Sequence, residues 1–544
     1  RPPGAAPAGA MAGSGGHRDD GPADRSAHVA QRDREPADSG VELAVGIGRP
    51  SGAGDPEDLH RRLLSREPTA GEDRCAPPGL APATGPAGLG RVPTLSILVA
   101  VFVSNQACRA MPCYLVDFGE AASPERAMNL DIGFGPAEYG FFATLCFTLP
   151  FMVASLAAGV LADSANRMRL GGVAALAWSA CTASMACSTT FASLALQRGA
   201  LGAAQAATNP ASLSLIADLF PESRATTSAI FGLGIYVGTG VASLGAALNE
   251  HAGWRGTCVV FGLASASLSL PAFLAEDTRL TPPRSSSSPR MRTSDDLGEA
   301  ATLPPGLWGR LNAIAHGMRR AVLAVPRRAA EATATNHARW LFLAASLRFC
   351  CGFAILVWLP AAMRVRFPDD VARFAVLHSL IKTFAGGASS MGGGLASDVL
   401  RAWGWGDSGS AAFCALASLA AAPLWCLVLR EGLSFEAAMA YLFAEYVMAE
   451  SWLGPAVATL HSAVPPERRG AAQGVFSSLT ALGNLLPCAL GFLSAERLAA
   501  GLQVSVSICY VLSGACFAKV AVGLRASSSA AADSVYVSVD ADSA

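Results

Sequence analysis

Seven ionisable residues stand where water is scarce. Arg109, Arg198, Arg348, His378, Lys382, Glu445 and Glu450 each fall inside a long apolar run. Charge in such surroundings is costly, and it usually faces a polar interior rather than lipid. Arginine grips phosphate or carboxylate with two parallel hydrogen bonds, so Arg109, Arg198 and Arg348 suit an anionic group. His378 and Lys382 lie one helical turn apart and share a face. Glu445 and Glu450 place a carboxylate patch opposite the cations. Glu445, one turn from Tyr441 and near mid-run, is the first candidate for proton exchange, and Glu450 the second. Asn105, Gln205, Asn209 and Trp452 add uncharged contacts.

Each of these residues also has a plainer use. Arg198 reads as an internal strut bonded to backbone carbonyls. Arg109 and Arg348 read as bridges to the two glutamates. Lys382 could reach the membrane surface along its own stem. His378 reads as a satisfied core histidine, Glu450 as a packing-level acceptor, and the amides as ties between helices. Trp452 could line a slot for the substrate or face lipid.

The elements that must position these groups are helices in a bilayer. The chain has 544 residues, 52% hydrophobic and 15% charged, where a soluble protein carries about a quarter charged residues. The apolar residues gather in about twelve runs of roughly 20, the length that spans a bilayer as a helix. Six runs precede a Ser-, Pro- and Arg-rich segment and six follow it. The expected organisation is a disordered cytosolic tail at 1–92, a six-helix bundle at 93–275, a cytosolic central loop at 276–338 with an amphipathic helix, a second six-helix bundle at 339–524, and a disordered tail at 525–544. The chain begins at Arg1, so the natural start is expected at Met11 or upstream. The tail contains no pattern of a cleavable signal sequence. Arginines near run ends put both termini and the central loop on the cytosolic side. Trp254, Trp340, Trp403 and Trp405, at run ends, are expected as interfacial anchors. The 14 cysteines have neither metal-ligand nor disulfide-framework spacing. No metal and no cofactor is expected.

The two halves repeat each other. NPASLSLIADLFPESRATTSAIFGLGIYVG around Pro210 matches GPAVATLHSAVPPERRGAAQGVFSSLTALG around Pro455 at one fixed offset. Pro221, Glu222, Arg224, Phe231 and Gly238 match Pro466, Glu467, Arg469, Phe476 and Gly483. GVLAD ending at Asp163 is echoed by GGLASD ending at Asp398. Internal duplication with a site between the halves is how many secondary transporters are built. The glycine pattern of GLGIYVGTG, from Gly232 to Gly240, lacks a preceding strand and reads as close helix packing. There is no P-loop, so ATP-driven transport is not expected.

The run from Gly159 to Arg169, GVLADSANRMR, resembles the loop signature of the major facilitator superfamily, G-x-L-x-D-R-x-x-R/K, with Ser164 in place of the first arginine. The resemblance implies a major facilitator fold: an all-α membrane protein of twelve transmembrane helices in two pseudo-symmetric six-helix bundles. It also implies a gating motif of Gly159, Asp163, Arg167 and Arg169, echoed by Gly394 and Asp398. IADLFP-SR, FGLGIYVGTGVA, GWR at 253–255 and WLGPAVATLHSAVPPERRGAA resemble the spinster-like lipid transporters of that superfamily. Asn105 and Arg109 resemble that branch's N-Y-x-D-R, and Arg198 to Gln205 its R-G-x-x-G-x-G-E. Two acids of that pattern are missing. Cys108 stands for the aspartate and Gln205 for the glutamate, and neither exchanges a proton usefully at neutral pH.

The function expected is therefore transport by alternating access, not enzymatic catalysis. The substrate expected from the resemblance is a lysophospholipid or sphingoid lipid. Its headgroup would sit among Arg109, Arg198 and Glu445, in a monomer, with protons as the candidate coupling ion and no nucleic acid as partner. Small organic anions on the same fold are the alternative substrates, and a non-transporting membrane receptor is a further reading. A polytopic enzyme is disfavoured.

Overall fold

The computed structural model describes residues 90–275 apart from 120–121, and 335–542 apart from most of 465–480, with isolated positions between 309 and 333. Residues 1–89 of the expected tail, nearly all of the central loop and the Arg468–Arg469 turn therefore lie outside the described residues. So do the side chains of Gly159 and Asp163. Among the described residues every element is helical and no strand occurs.

The first half begins with α1 (Arg91–Ala110), which tightens into a 3-10 turn, Met111–Tyr114. A short α2 (Met128–Ile132) leads to α3 (Pro136–Ala143) and α4 (Leu145–Ser164), which form one rod. Then follow α5 (Arg167–Ser184), α6 (Phe191–Gln205), α7 (Thr208–Leu219) and the long α8 (Arg224–Ser269). The second half contains α9 (Asn336–Arg366), α10 (Val371–Leu380), a π-helical turn Ile381–Gly386, α11 (Gly387–Ala402) and α12 (Gly406–Val428). It closes with α13 (Phe435–Ala449), α14 (Leu453–Ala463), α15 (Leu485–Leu490) and α16 (Ala495–Asp542).

Local chemistry fixes where these helices start. Asn166, Thr190, Thr335 and Ser434 each accept a hydrogen bond from the backbone N–H three residues on, which satisfies a donor the helix start leaves free. The bend inside α8 is set by Gly253, whose φ of 65° is open to glycine at little cost. The bend turns Trp254 inward, where its ring is fully buried and its indole N–H bonds Asp131 at 2.9 Å. The expected interfacial anchor is thus an internal one. Trp403 and Trp405 are exposed as expected, and Trp340 carries the Lys519 ammonium over its ring at 4.3 Å.

Among the described residues, seven helices are long and apolar enough to cross a membrane, and one of them, Thr226–Phe273, holds both arms of α8. The remaining rods are interrupted or described in part. The α6–α7 rod breaks after Gln205, the α10–α11 rod contains the π turn, and the α13–α14 rod breaks at Glu450–Trp452. Counted this way, the described helices form twelve rods, six on each side of the central segment.

Duplication extends to packing. A Cβ at Gly238 would meet the Val103 carbonyl of α1 at 2.5 Å, and one at Gly483 would meet Phe349 of α9 at 2.7 Å. Two residues aligned by the repeat therefore do the same work: each lets the fifth rod of its half close on the first. GLGIYVGTG is packing sequence, as the missing strand implied.

Candidate functional site

The ionisable residues of the apolar runs form a string of charge through the middle of the bundle. On the first half, Arg109 of α1 lies with its guanidinium 4.5 Å from the Phe147 ring and 5.6 Å from the Phe353 ring of the other half. It is half-buried and makes no hydrogen bond among the described residues. Arg198 of α6 is buried. One of its nitrogens donates to the Ala143 carbonyl at 3.3 Å, while Nε and Nη1 have no partner. Phe142 and Phe147 lie within 5.4 Å and 5.2 Å of the same guanidinium. Arg109 and Arg198 thus share one ring, Phe147, at 4.5 Å and 5.2 Å.

Lys382 sits in the π turn. An extra residue per turn re-aims side chains, and such turns cluster at functional sites. Its ammonium donates to Tyr114 Oη at 2.9 Å, across the boundary between the halves. The same oxygen lies 3.4 Å from His378 Nδ1. An ammonium has no acceptor, so Tyr114 accepts from Lys382 and has its own proton left for Nδ1. That assigns the remaining imidazole proton to Nε2, which is buried without a partner.

On the second half, Arg348 of α9 donates to the Ala449 carbonyl and stacks on Tyr510 at 4.6 Å and Trp452 at 5.5 Å. Its Nε and Nη1 have no partner. Neither Arg109 nor Arg348 pairs with a glutamate by direct contact, so the expected bridges are replaced by backbone and aromatic contacts. Glu445 is fully buried and accepts from Tyr510 within its own half. Glu450 is half-buried at the break between α13 and α14, and accepts from Tyr236 of α8 at 3.0 Å.

The uncharged candidates divide. Asn105 donates to Thr208 Oγ1 at 3.2 Å, and its carbonyl accepts from Gln205 at 2.9 Å. Both amides are therefore ties between α1 and the α6–α7 break. Asn209 is exposed. Trp452 is buried against Phe349, Phe476 and Phe517. Arg167 binds Asp218 at 2.6 Å and Ser214 at 3.0 Å. Arg169 and Asp398 are exposed, and Gly394 packs beside Gly454. Three phenols were not anticipated: Tyr114, Tyr236 and Tyr510. The chain has only 7 tyrosines, so a tyrosine inside an apolar run was a usable signal.

Every hydrogen bond between the halves among the described residues lies at Glu450 or farther from the central segment. Tyr139 donates to Val357 at 2.7 Å and Ser243 to Ala375 at 2.9 Å. Farther out, Arg364 of α9 lies 3.4 Å from Glu250 and 3.8 Å from Asp117, and Arg126 binds Glu250 at 2.7 Å. Burial raises the Asp117 carboxyl above its usual range, while the Gly119 N–H and Arg364 pull it back. The side remote from the central segment is shut.

The sequence profile of the Major Facilitator Superfamily matches residues 113–487, more than half of the chain. The chain belongs to the Major Facilitator Superfamily. It is a multi-pass membrane protein, and members of this superfamily carry small molecules across a bilayer. No curated protein sequence matches it. Among solved structures, it is similar to a bacterial homolog of the human lysosomal transporter Spinster, inward-facing and unoccupied. That match has 16% identity and a TM-score of 0.60, over 79% of this chain and 97% of that one. It is also similar to a peptide transporter, POT, bound to alafosfalin (17%, TM-score 0.56, 81% and 96%). The nucleoside transporter NupG matches at 13% with a TM-score of 0.51, over 80% and 99%. At these identities the likeness is one of fold.

Proposed function

We propose that this superfamily member moves an anionic or zwitterionic amphiphile by alternating access, the halves rocking about the charge string. The observation that carries the reading is the excess of unsatisfied cation. Arg198 and Arg348 keep guanidinium N–H groups buried and unpaired, and Arg109 has no hydrogen-bond partner among the described residues. Such groups are costly unless an anion meets them. The aromatic rings around Arg109 and Arg198 tolerate an apolar body beside a charged head. The headgroup site is assigned to Arg109, Arg198 and Lys382, with Glu450 as the opposing charge. Glu445, Asn105, Gln205 and Trp452 are engaged inside their own halves and support the site from behind.

A cavity of about 660 Å³ between α11, α12 and α13 supports an acyl tail. Phe384, Leu416, Phe443 and Met448 line it and are exposed. Its floor reaches Ser451, next to Glu450. A small organic anion is the second reading. One helix separates this cavity from the charged site: Ser389 and Gly393 face the cavity, while Gly386 of the same helix packs on Tyr236.

Uptake into proteoliposomes decides between them. Lysophosphatidate and lysophosphatidylcholine should accumulate, and short-chain dicarboxylates should not. Uptake of the dicarboxylates alone would establish the second reading. Binding of either class without uptake would establish a receptor.

A further inference from the structure

Lys382 is the one cation of the charge string whose only hydrogen-bond partner among the described residues is a side chain of the opposite half. Its ammonium donates to Tyr114 Oη at 2.9 Å and lies 5.5 Å from the centre of the same ring. An ammonium has three N–H donors, and a single neutral acceptor leaves it under-paired in apolar surroundings. A carboxylate or phosphate oxygen would make a shorter and stronger bond. The phenol oxygen therefore occupies the place that an anionic oxygen would take.

The two partners are not equally free. Tyr114 ends the 3-10 turn that follows α1, five residues beyond Arg109, and is buried. His378 Nδ1 lies 3.4 Å from its oxygen, and the His378 ring packs against Phe374 at 4.8 Å and Tyr446 at 6.1 Å. The phenol is thus fixed. Lys382 reaches it on a flexible four-carbon stem. That stem leaves a rod pressed against α8: a Cβ at Gly386 would meet the Tyr236 ring at 2.7 Å, and one at Gly240 would meet the Ser379 carbonyl at 2.9 Å. When partners are exchanged, the lysine moves and the phenol stays.

We infer that Tyr114 is a built-in rival of the transported anion: its phenol oxygen holds Lys382 across the halves until an anionic oxygen takes the ammonium. A lysine that must leave one partner to meet another binds its ligand with an affinity reduced by the fraction of time it is free. The held lysine also selects for charge, since a neutral molecule offers it nothing better than the phenol. Resting on the assignment of Lys382 to the headgroup site, this names what controls that site, for an amphiphile and a small organic anion alike. A tyrosine that merely supported the site would weaken binding when its hydroxyl is lost. A rival strengthens it.

The chain has two lysines, Lys382 and Lys519. Full-length protein carrying carbon-13 at the lysine ε carbons therefore gives two signals by solid-state NMR in liposomes, which Lys382→Arg assigns. Lys519, over the Trp340 ring, is the internal control. The probe is glycerol 3-phosphate, added at constant ionic strength. In wild type it should move the Lys382 signal to saturation and leave that of Lys519 in place. In Tyr114→Phe the half-saturating concentration should fall about tenfold, the equivalent of losing one hydrogen bond to a charged group. His378→Phe removes the acceptor that polarises the phenol and should lower the same concentration by a smaller factor, about threefold; it decides the matter in the same way if Tyr114→Phe does not fold. A half-saturating concentration equal to or above that of wild type overturns the inference. So does an unmoved Lys382 signal in wild type, whatever the uptake assay shows. Failure of lysophosphatidate uptake while the Lys382 signal responds would instead refute the amphiphile reading and leave the rivalry standing.

Discussion

Replacing Arg364 with Gln should open the closed side of the molecule. Arg364 is 9% exposed and lies 3.4 Å from Glu250 and 3.8 Å from Asp117, whose side chains are 24% and 14% exposed. Opposite unit charges about 4 Å apart interact by about 4 kcal/mol at an effective dielectric of about 20. Removing one partner of a buried pair costs about 3–5 kcal/mol. Two features reduce that here: both carboxylates are partly exposed, and Arg126 still holds Glu250 at 2.7 Å. A net effect of about 2 kcal/mol remains, or about a thirtyfold shift in the balance between closed and open arrangements. Spin labels on unnatural amino acids at Ser123 and Glu431, both exposed, measure it as the distance between the halves on that side. Wild type should show one short distance, and Arg364→Gln a large added fraction at longer distance. Arg126→Gln removes a charge that is half exposed and should shift the balance by less than about fivefold. If Arg364→Gln leaves the distance distribution unchanged, the ion cluster does not hold that side shut. The seam of Tyr139, Val357, Ser243 and Ala375 would then suffice alone.

Gly238→Ala should lower the apparent melting temperature by several degrees, because its Cβ would meet the Val103 carbonyl at 2.5 Å and Gln106 Cβ at 2.6 Å, at a cost of about 1–3 kcal/mol. Gly232→Ala on the same helix meets nothing within 4 Å and should match or exceed wild type; thermal unfolding read by fluorescence-detected chromatography separates the two. Arg109→Gln should reduce uptake at low substrate concentration about tenfold or more while leaving that melting temperature nearly unchanged, since Arg109 makes no hydrogen bond among the described residues. Tyr510→Phe leaves buried Glu445 without its hydroxyl donor and should destabilise the second half by about 1–3 kcal/mol, seen as a lower melting temperature at neutral pH.

The fold was legible in the sequence because a bilayer imposes a coarse rule. Apolar runs of one length, six on each side of a polar segment, leave few arrangements, and the echo of Pro210 in Pro455 supplied the symmetry. What stayed hidden depended on direction rather than composition. Glu445 and Glu450 look alike on paper, five residues apart in one run. A helix break between them turns one toward Tyr510 of its own half and the other toward Tyr236 of the opposite half. Pro455 signals the break, since it has no N–H for the Ser451 carbonyl, as Pro210 has none for Ala206, but not the direction each carboxyl takes from it. Trp254 was misread for a related reason. Gly253 announces a bend, but only the bend's geometry decides that the indole enters the protein and bonds Asp131. The three phenols escaped because tyrosine in an apolar run is usually read as bulk, while here each hydroxyl supports a charge.

The departure from the spinster-like pattern and the asymmetry between the halves have one physical consequence. A duplicated bundle with identical halves would place equivalent groups at both breaks, and two ionised acids there would repel across the centre. Here the first break is neutral and tied by the hydrogen bonds of Asn105 and Gln205 within its own half. The second holds a carboxyl group and reaches across to Tyr236. Alternation needs bonds that differ between its two states, because a ligand shifts a two-state balance only through such a difference. A bond internal to one half is the same in both states and contributes nothing. The Tyr236–Glu450 and Tyr114–Lys382 bonds span the halves and exist only while the halves are close at that point. On the proposed reading, an anion arriving among Arg109, Arg198 and Lys382 competes with Tyr114 for the ammonium. Such an event acts on the boundary between the halves, where the two arrangements differ.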